Sequence, residues 1–220
     1  MDILVLGASG SAGGSVLQAC LASPRVREVR TIGRRRLDIQ HAKLREFVHS
    51  NFEDYTGVQA AFAGVAACLF CLGKSVRQVP SADEYRRITY DFALAAAGVL
   101  REQAPDAVFH YISGSGTHLD SRFMWARVKA EAERDLIARF NAVCWRPASI
   151  DGMPSASEPA AYKAFRPVAR VLLQPFRSLY VKGEDIGLAM LQATIDGVRG
   201  RIVDNAEIRE LADRARTVTR

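Results

Sequence analysis

The feature that most constrains the fold is a turn with evenly spaced glycines near the start of the chain, Gly7-x-x-Gly10-x-x-Gly13. The apolar run at 3–6 predicts a buried strand before the turn, and the apolar spacing at 16–21 predicts one face of a helix after it. In such a turn, backbone amides approach a pyrophosphate, whose charge lies at the positive end of the helix. Glycine-rich turns also serve packing alone, but the flanking strand and helix favour dinucleotide binding. We therefore predict a cofactor-binding turn formed by Gly7, Ser9, Gly10, Ser11, Ala12 and Gly13.

The rest of the chain alternates predicted strands with predicted helices. Strands are expected at 28–33, 46–50, 65–72, 107–113 and 142–147. Helices are expected at 54–62, 84–103 and 123–140. This alternation predicts an α/β fold with a doubly wound parallel sheet and helices on both faces. A chain of 220 residues is long enough for one such domain and does not require a second.

Three consecutive arginines, Arg34 to Arg36, follow the second predicted strand and bear on the choice of cofactor. Sites that prefer NAD place an acidic side chain near this point to hold the ribose 2′-hydroxyl, whereas a basic side chain accommodates the 2′-phosphate of NADP. Most charge runs are solvated surface loops, and that interpretation stays open here. The position directly after the second strand favours NADP(H), with Arg34 and Arg35 as phosphate ligands.

Motifs along the whole chain resemble the short-chain dehydrogenase/reductase superfamily. The glycine spacing is typical of its extended and atypical branches, and the other motifs resemble the atypical branch that contains the Tat-interacting 30 kDa protein. These motifs are Gly33-Arg34-Arg35-Arg36, Cys71-Leu72-Gly73, Ile112-Ser113, Trp145-Arg146-Pro147 and the segment 201–211. The resemblance implies one Rossmann-type domain over residues 1–220 that binds NADP(H).

The resemblance also assigns residues at the strand ends to the cofactor. It places Asn51 and Phe52 beside the adenine, and Leu72 and Gly73 beneath the pyrophosphate and ribose. A simple turn explains Gly73 nearly as well. Pro147, at the end of the sixth predicted strand, is expected at the same edge, because open parallel sheets bind ligands outside the carboxyl ends of their strands.

The superfamily's catalytic set is matched here in two of its three positions. The family places a Ser at the end of the fifth strand and Tyr-x-x-x-Lys on the next helix, where Tyr and Lys share a face. Ser113 and Lys129 match this pattern, but Trp125 occupies the Tyr position. An indole N–H donates a hydrogen bond but does not titrate, so Trp125 cannot exchange a proton with a substrate. Lys129 is expected to hold the nicotinamide ribose, although a solvated helix lysine is the alternative.

Two functions follow from this pattern. The first is an NADP(H)-binding protein that lacks the usual proton donor and acts as a sensor or regulatory binder. The second is an NADPH-dependent oxidoreductase on a small carbonyl substrate, with its proton supplied by His118, Asp120, Tyr162 or ordered water. The partners expected are therefore a dinucleotide and an unidentified small molecule.

The segment 151–182 corresponds to the substrate lid of the superfamily. Its large apolar side chains would cover a nonpolar ligand; they are Met153, Tyr162, Phe165, Val168, Leu172, Phe176 and Tyr180. A plain packing helix or a homodimer surface explains the same residues equally well.

Composition bears on nucleic-acid binding, membrane association and metal binding. The net charge is +6, but the basic residues are scattered, so nucleic-acid binding is the weakest interpretation. No apolar run approaches the ~20 residues that span a bilayer, and we expect no membrane partner and a cytoplasmic location. Cys68 and Cys71 have a C-x-x-C spacing without nearby histidines, which favours buried thiols over a metal site.

Overall fold

In the computed structural model, which describes residues 1–152 and 180–217, strands and helices alternate along the chain. The strands are β1 (Asp2–Leu6), β2 (Glu28–Gly33), β3 (Leu44–Val48), β4 (Ala67–Phe70), β5 (Val108–Ile112), β6 (Val143–Arg146), β7 (Ser149–Asp151), β8 (Tyr180–Lys182) and β9 (Arg201–Asp204). The helices are α1 (Ser11–Ala22), α2 (Ala82–Arg86), α3 (Phe92–Gln103), α4 (Met124–Phe140), α5 (Gly183–Ile195) and α6 (Asn205–Thr217). A π-helical turn, Arg87–Asp91, joins α2 to α3.

The central sheet confirms the predicted doubly wound architecture. Seven strands form it in the order β3-β2-β1-β4-β5-β6-β9, and every neighbouring pair is parallel. The strand order reverses between β1 and β4, which leaves a crevice at their carboxyl ends. The glycine turn follows β1 and therefore lies at this crevice.

Strand β1 divides the core between the two faces of the sheet, because successive side chains point to opposite sides. Ile3 and Val5 pack with the buried residues of α1, α5 and α6. Leu4 and Leu6 pack with those of α3 and α4. All four side chains are fully buried. The predicted placement of helices on both faces is thus confirmed.

One predicted helix is wrong. Within 54–62 the chain forms only a short 3₁₀ turn, Gln59–Ala61. The Thr56 amide donates to Asp54 Oδ1 at 2.8 Å, and Gly57 adopts a positive φ of 87°. A side-chain-capped turn followed by a left-handed glycine interrupts any helix here.

Helices α1 and α5 approach closely through small residues. A Cβ atom on Gly183 would lie 2.5 Å from the Ser15 Cβ, and one on Gly187 would lie 2.6 Å from the Ala19 Cβ. A Cβ on Gly152 would lie 2.6 Å from the Ser11 carbonyl oxygen. These contacts hold the β7–β8 pair beside the start of α1. Apart from Tyr180 in β8, the apolar residues predicted to form a lid lie outside the described residues.

A buried polar chain joins β5, β6 and α5. Trp145 Nε1 donates to His110 Nδ1 at 3.0 Å, and His110 Nε2 lies 3.0 Å from Thr194 Oγ1. Thr194 Oγ1 in turn donates to the Met190 carbonyl, so the imidazole is neutral and carries its proton on Nε2. Burial lowers the pKa of His110 to about 3.

The cysteines occupy the core and its border. All four are free thiols; Cys20, Cys68 and Cys144 are buried and Cys71 is half-buried. Burial raises the pKa of the Cys20 thiol to about 12, which makes it unreactive. Within residues 1–152 and 180–217, no helix is long and apolar enough to cross a bilayer.

Candidate functional site

The glycine turn closes tightly against the end of β4. Gly7 has a φ of +83°, and a Cβ there would lie 2.7 Å from the Leu72 nitrogen. A Cβ on Gly13 would lie 2.1 Å from the Gly7 carbonyl oxygen. The Gly10 amide donates to that same oxygen at 2.9 Å. Gly7 and Gly13 are therefore required by the packing of the turn itself, whereas a Cβ on exposed Gly10 would come no closer than 3.3 Å to any atom.

The start of α1 is suited to an anion. Gly10 is the N-cap residue, no side chain caps the helix, and its first turn contains no acidic residue. Ser9 and Gly10 are exposed, while Ser11 and Ala12 are half-buried. The first amides of a helix have no partner within it and carry its positive dipole end. The turn and these amides thus fit the pyrophosphate of a dinucleotide.

An open cleft extends from this turn to the segment after β2. Its lining combines the glycine turn, the ends of β2 and β3, and the loop between them. The lining residues are Gly7, Ala8, Ser9, Thr31, Ile32, Gly33, Arg34, Arg35, Leu37, Glu46, Phe47, Phe52 and Leu72. The cleft therefore brings together the two motifs from which the sequence predicted a dinucleotide site.

The arginines after β2 divide into two kinds. Arg34 and Arg35 are exposed and line the cleft. Among the described residues, neither has an ion-pair partner. Arg36 instead lies 3.8 Å from Glu46, measured from Nη1 to Oε2. Two cationic side chains are thus available to an anionic ligand at this wall.

Of the other residues that were assigned to the cofactor, some line the cleft and others do not. Phe52 is buried and Leu72 half-buried, and both line the cleft. Asn51 is exposed outside the lining, and its Oδ1 accepts a hydrogen bond from the Glu53 amide. Gly73 is exposed, with no atom within 4 Å of the position a Cβ would take. The packing of the protein therefore does not require a glycine at 73.

Ser113 lies just beyond β5 in a small hydroxyl network. Its Oγ is 3.2 Å from Thr117 Oγ1, which donates to the Gly114 carbonyl at 2.8 Å. Ser113 and Thr117 are both buried. The Ser115 amide donates to the carbonyl of buried Pro147. The ends of β5 and β6 are thus linked at the edge where the sequence predicted the nicotinamide.

Lys129 reaches this edge from α4. Its ammonium donates to the carbonyls of Ser113 at 2.8 Å and Ile112 at 3.3 Å. Burial lowers the pKa of Lys129 to about 8, while the charge of Glu133 opposes that shift. Glu133, one turn further along α4, is buried and paired with Arg146 at 2.6 Å. The structure therefore brings Lys129 and Ser113 together through the main-chain carbonyl of Ser113.

Trp125 stands one helical turn before Lys129, in the position predicted from the family pattern. It is half-buried, and its ring stacks with Phe123 at 6.4 Å between centroids. A Cβ on Gly116 would lie 3.8 Å from the indole. Among the alternative proton sources, His118 and Asp120 are exposed and Tyr162 lies outside the described residues.

Several residues near these two edges have no recognisable sequence motif. Thr31 and Glu46 pair across β2 and β3 and both line the cleft. Thr117 contacts Ser113, and the Tyr111 ring lies 6.0 Å from the Lys129 ammonium. The only available signal was the alternation of side chains along β2 and β3, which does not identify a ligand-facing residue.

Comparisons of sequence link the chain to several curated proteins. No family model matches it. It is 22% identical to the mitochondrial protein FMP52 of Candida albicans over 94% of both chains. It is 24% identical to mitochondrial FMP52 of Eremothecium gossypii, over 99% of this chain and 100% of that protein. The match to protein HTATIP2 of Rattus norvegicus is 29% identical over 60% of this chain and 54% of the rat protein.

Comparisons of structure give the fold. DesIV, a dTDP-glucose 4,6-dehydratase from Streptomyces venezuelae solved with NAD, has a TM-score of 0.71 at 16% identity, covering 98% of this chain and 80% of its own. A short-chain dehydrogenase/reductase family oxidoreductase from Burkholderia thailandensis has a TM-score of 0.68 at 15% identity, covering 94% and 92%. WbmF of Bordetella bronchiseptica in complex with NAD⁺ has a TM-score of 0.66 at 12% identity, covering 99% and 78%.

These comparisons confirm one expectation and correct another. The resemblance to the short-chain dehydrogenases/reductases, and to the branch of the Tat-interacting 30 kDa protein, is confirmed by the shared Rossmann-like fold and by the HTATIP2 match. The expected cytoplasmic location is contradicted, because the FMP52 relatives are named as mitochondrial proteins. Low hydropathy of the chain as a whole carries no information about an organelle, which explains the error.

Proposed function

We propose that the chain is a single dinucleotide-binding domain that holds NADP(H) in the cleft between the glycine turn and the arginines after β2. The observation that carries the proposal is the lining of this cleft: Gly7, Ala8 and Ser9, which lead into the uncapped start of α1, share it with Arg34 and Arg35, which have no ion-pair partner among the described residues. The solved neighbours with bound NAD or NADH support a nicotinamide dinucleotide as the ligand class.

Each end of the cleft has its own task in this proposal. The amides that begin α1, with Ser9, Ser11 and Ala12 beside them, bind the pyrophosphate. Phe52, in the lining of the cleft, provides apolar contact for the adenine, next to exposed Asn51 in the sequence, and Leu72 lies beneath the pyrophosphate and ribose. The guanidinium groups of Arg34 and Arg35 bind the 2′-phosphate, since guanidinium matches phosphate oxygens in two-point hydrogen bonds.

The opposite edge, near Ser113 and Lys129, would receive the nicotinamide, which supplies hydride chemistry when it is bound. Lys129 uses two of its three N–H donors on main-chain carbonyls. One donor therefore remains for a ribose hydroxyl, and Pro147 borders the same edge. Trp125 provides no titratable proton at the position of the family's Tyr. We therefore propose a sensor or regulatory binder of NADP(H).

A second function is favoured by one specific observation. Lys129 lies beside Ser113, with its ammonium 2.8 Å from the Ser113 carbonyl, and burial lowers its pKa to about 8, closer to the neutral range in which a general acid is most effective. An NADPH-dependent oxidoreductase acting on a small carbonyl compound would draw its proton from Lys129 or from water held near Ser113. Turnover by the Trp125 variants described in the Discussion separates this function from the first.

The proposed binding mode is tested by replacing Gly10 with Val. Gly10 has an extended backbone, with φ −84° and ψ 168°, so the variant is expected to fold while its side chain blocks the pyrophosphate. Calorimetric titration with NADPH should show no binding. Gly98→Ala, at a helix position with no atom within 4 Å of the added Cβ, should bind as the wild type does. Unchanged NADPH affinity in folded Gly10→Val would refute this binding mode.

A further inference from the structure

The segment that carries the arginines is fixed at both of its ends. At Gly33 the carbonyl accepts a hydrogen bond from the His49 amide at 2.9 Å. At Leu37 the amide donates to Glu46 Oε1 at 2.7 Å. Arg34, Arg35 and Arg36 lie between these two points. The first is an ordinary contact between main chains, but the second depends on one side chain.

That side chain is held in a defined position. Glu46 lies on β3, directly across from Thr31 of β2, and its side chain is only 13% exposed. One carboxylate oxygen accepts from Leu37, and the other lies 3.8 Å from the Arg36 guanidinium. Leu37 itself is half-buried and packs against the core. Both oxygens of Glu46 therefore face donors of the same short segment.

A carboxylate in this cleft has three conceivable effects on a dinucleotide. It could repel a 2′-phosphate, or accept a hydrogen bond from a ribose hydroxyl, or fix the segment that binds the phosphate. The contacts favour the third effect, because Oε1 is occupied by the Leu37 amide and the charge is compensated by Arg36. A fixed segment loses less conformational freedom when it binds a ligand.

We propose that Glu46 is a positioning residue that sets the preference for NADP(H), by anchoring Leu37 so that Arg34 and Arg35 stand at the cleft wall. This inference rests on the proposed function. It assigns Arg36 to the anchor and leaves Arg34 and Arg35 for the phosphate. The predicted effect is confined to the 2′-phosphate, since the proposed binding mode assigns Arg34 and Arg35 to that group and the pyrophosphate to the glycine turn.

Two variants separate anchoring from charge. Glu46→Gln keeps an acceptor at the same reach but removes the charge, whereas Glu46→Asp keeps the charge but is one methylene too short for the Leu37 amide. Glu46→Asp should weaken NADPH binding about tenfold, within the range for a lost charge-assisted hydrogen bond. It should change the affinity for NADH less than about twofold. Glu46→Gln should keep both affinities within about threefold of wild type, because its side-chain oxygen still accepts the hydrogen bond from the Leu37 amide.

Calorimetric titration with NADPH and NADH tests whether Glu46 acts by anchoring. Circular dichroism and thermal unfolding of each variant check that it is folded. Equal weakening of both cofactors by Glu46→Asp would show a merely structural role and overturn the inference. A changed NADPH affinity in Glu46→Gln, with Glu46→Asp like wild type, would show that charge acts directly and would also overturn it. If wild type binds NADPH and NADH equally and Arg34→Ala has no effect, the proposed function fails as well. If wild type prefers NADPH and Arg34→Ala weakens that preference, but neither Glu46 variant changes the affinity for NADPH, the proposed function stands and this inference alone is refuted.

Discussion

The ammonium of Lys129 donates a 2.8 Å hydrogen bond to the main-chain carbonyl of Ser113. This contact joins α4 to the end of β5 and holds the half-buried lysine side chain against the sheet. Because the partners are carbonyls and not carboxylates, desolvation outweighs stabilisation, and the pKa of Lys129 falls to about 8. The consequence is a measurable dependence of stability on pH.

Replacing Lys129 with Met should remove a rise of stability at alkaline pH. In the unfolded chain a lysine has its ordinary pKa of about 10.5, so between about pH 8 and that value the unfolded state binds more protons than the native state. Stability due to Lys129 therefore increases with pH across this window, by about 2 kcal/mol between pH 7 and pH 10. Urea unfolding of wild type and Lys129→Met at both pH values checks this. Parallel pH dependence in the two proteins would contradict it.

His110 should make the protein less stable in mild acid. Its pKa is about 3 in the folded state, against an ordinary histidine pKa of 6.5, so in mild acid the unfolded state binds a proton that the native state does not bind. The free energy of unfolding should fall by about 1.4 kcal/mol from pH 7.5 to pH 5.5 through this residue.

The matched variant is His110→Gln, whose amide has an acceptor for Trp145 and a donor for Thr194. It should show a smaller fall between these pH values, while exposed His118→Gln should behave as wild type. An identical acid dependence in wild type and His110→Gln would mean that the buried imidazole is not the source.

Gly13 and Gly10 should respond differently to the same substitution. Gly13→Ala places a Cβ 2.1 Å from the Gly7 carbonyl oxygen, and the turn must shift to relieve it. We expect a loss of about 2 kcal/mol or more in stability, as for overpacked cores. Gly10→Ala meets only a contact of 3.3 Å to that carbonyl oxygen and exchanges an N-cap glycine for alanine, so it should lose no more than about 1 kcal/mol. Thermal unfolding measures both; equal stabilities would show that the turn relaxes freely.

The proposed regulatory function predicts that Trp125 leaves the site unable to turn over a carbonyl substrate. With no titratable group at this position, wild type should oxidise NADPH negligibly with generic carbonyl compounds, because general acid catalysis contributes about 10²–10⁴-fold in rate. Trp125→Tyr places a phenol one turn from Lys129 and should raise the rate, while Trp125→Phe should not. Robust NADPH oxidation by wild type, undiminished in Trp125→Phe, would instead support the oxidoreductase function.

The sequence predicted the architecture well because its strongest signals are local. Apolar runs and the Gly7–Gly13 turn fixed the order of strands and helices, and parallel pairing followed from their alternation. The helix expected at 54–62 was wrong because the prediction relied on apolar spacing. In the structure, the turn formed by Asp54 and the positive φ of Gly57 prevent a helix there. The apolar lid remains a prediction, since its central residues lie outside the described ranges.

The site was predictable only where a motif follows a strand. Ser113 and Lys129 were found because family spacing relates them, and the structure joins them. Glu46 contacts Leu37 across the loop between β2 and β3, and Thr117 contacts Ser113 across a turn. These contacts depend on the path of the loop, for which a sequence offers no pattern. The two hydrogen bonds that Lys129 donates to main-chain carbonyls are likewise known only from the structure.

The preference for NADPH over NADH tests the account most directly, since Arg34 and Arg35 are assigned to the one group that distinguishes the two cofactors. Charge-assisted hydrogen bonds contribute roughly 1.5–3 kcal/mol each, so calorimetry should give an affinity for NADPH at least about tenfold higher. The double variant Arg34→Ala/Arg35→Ala should lose that preference while still binding NADH, and exposed Arg25→Ala should keep it. Equal affinities of the wild type for NADPH and NADH, or binding of neither, would contradict the proposed function.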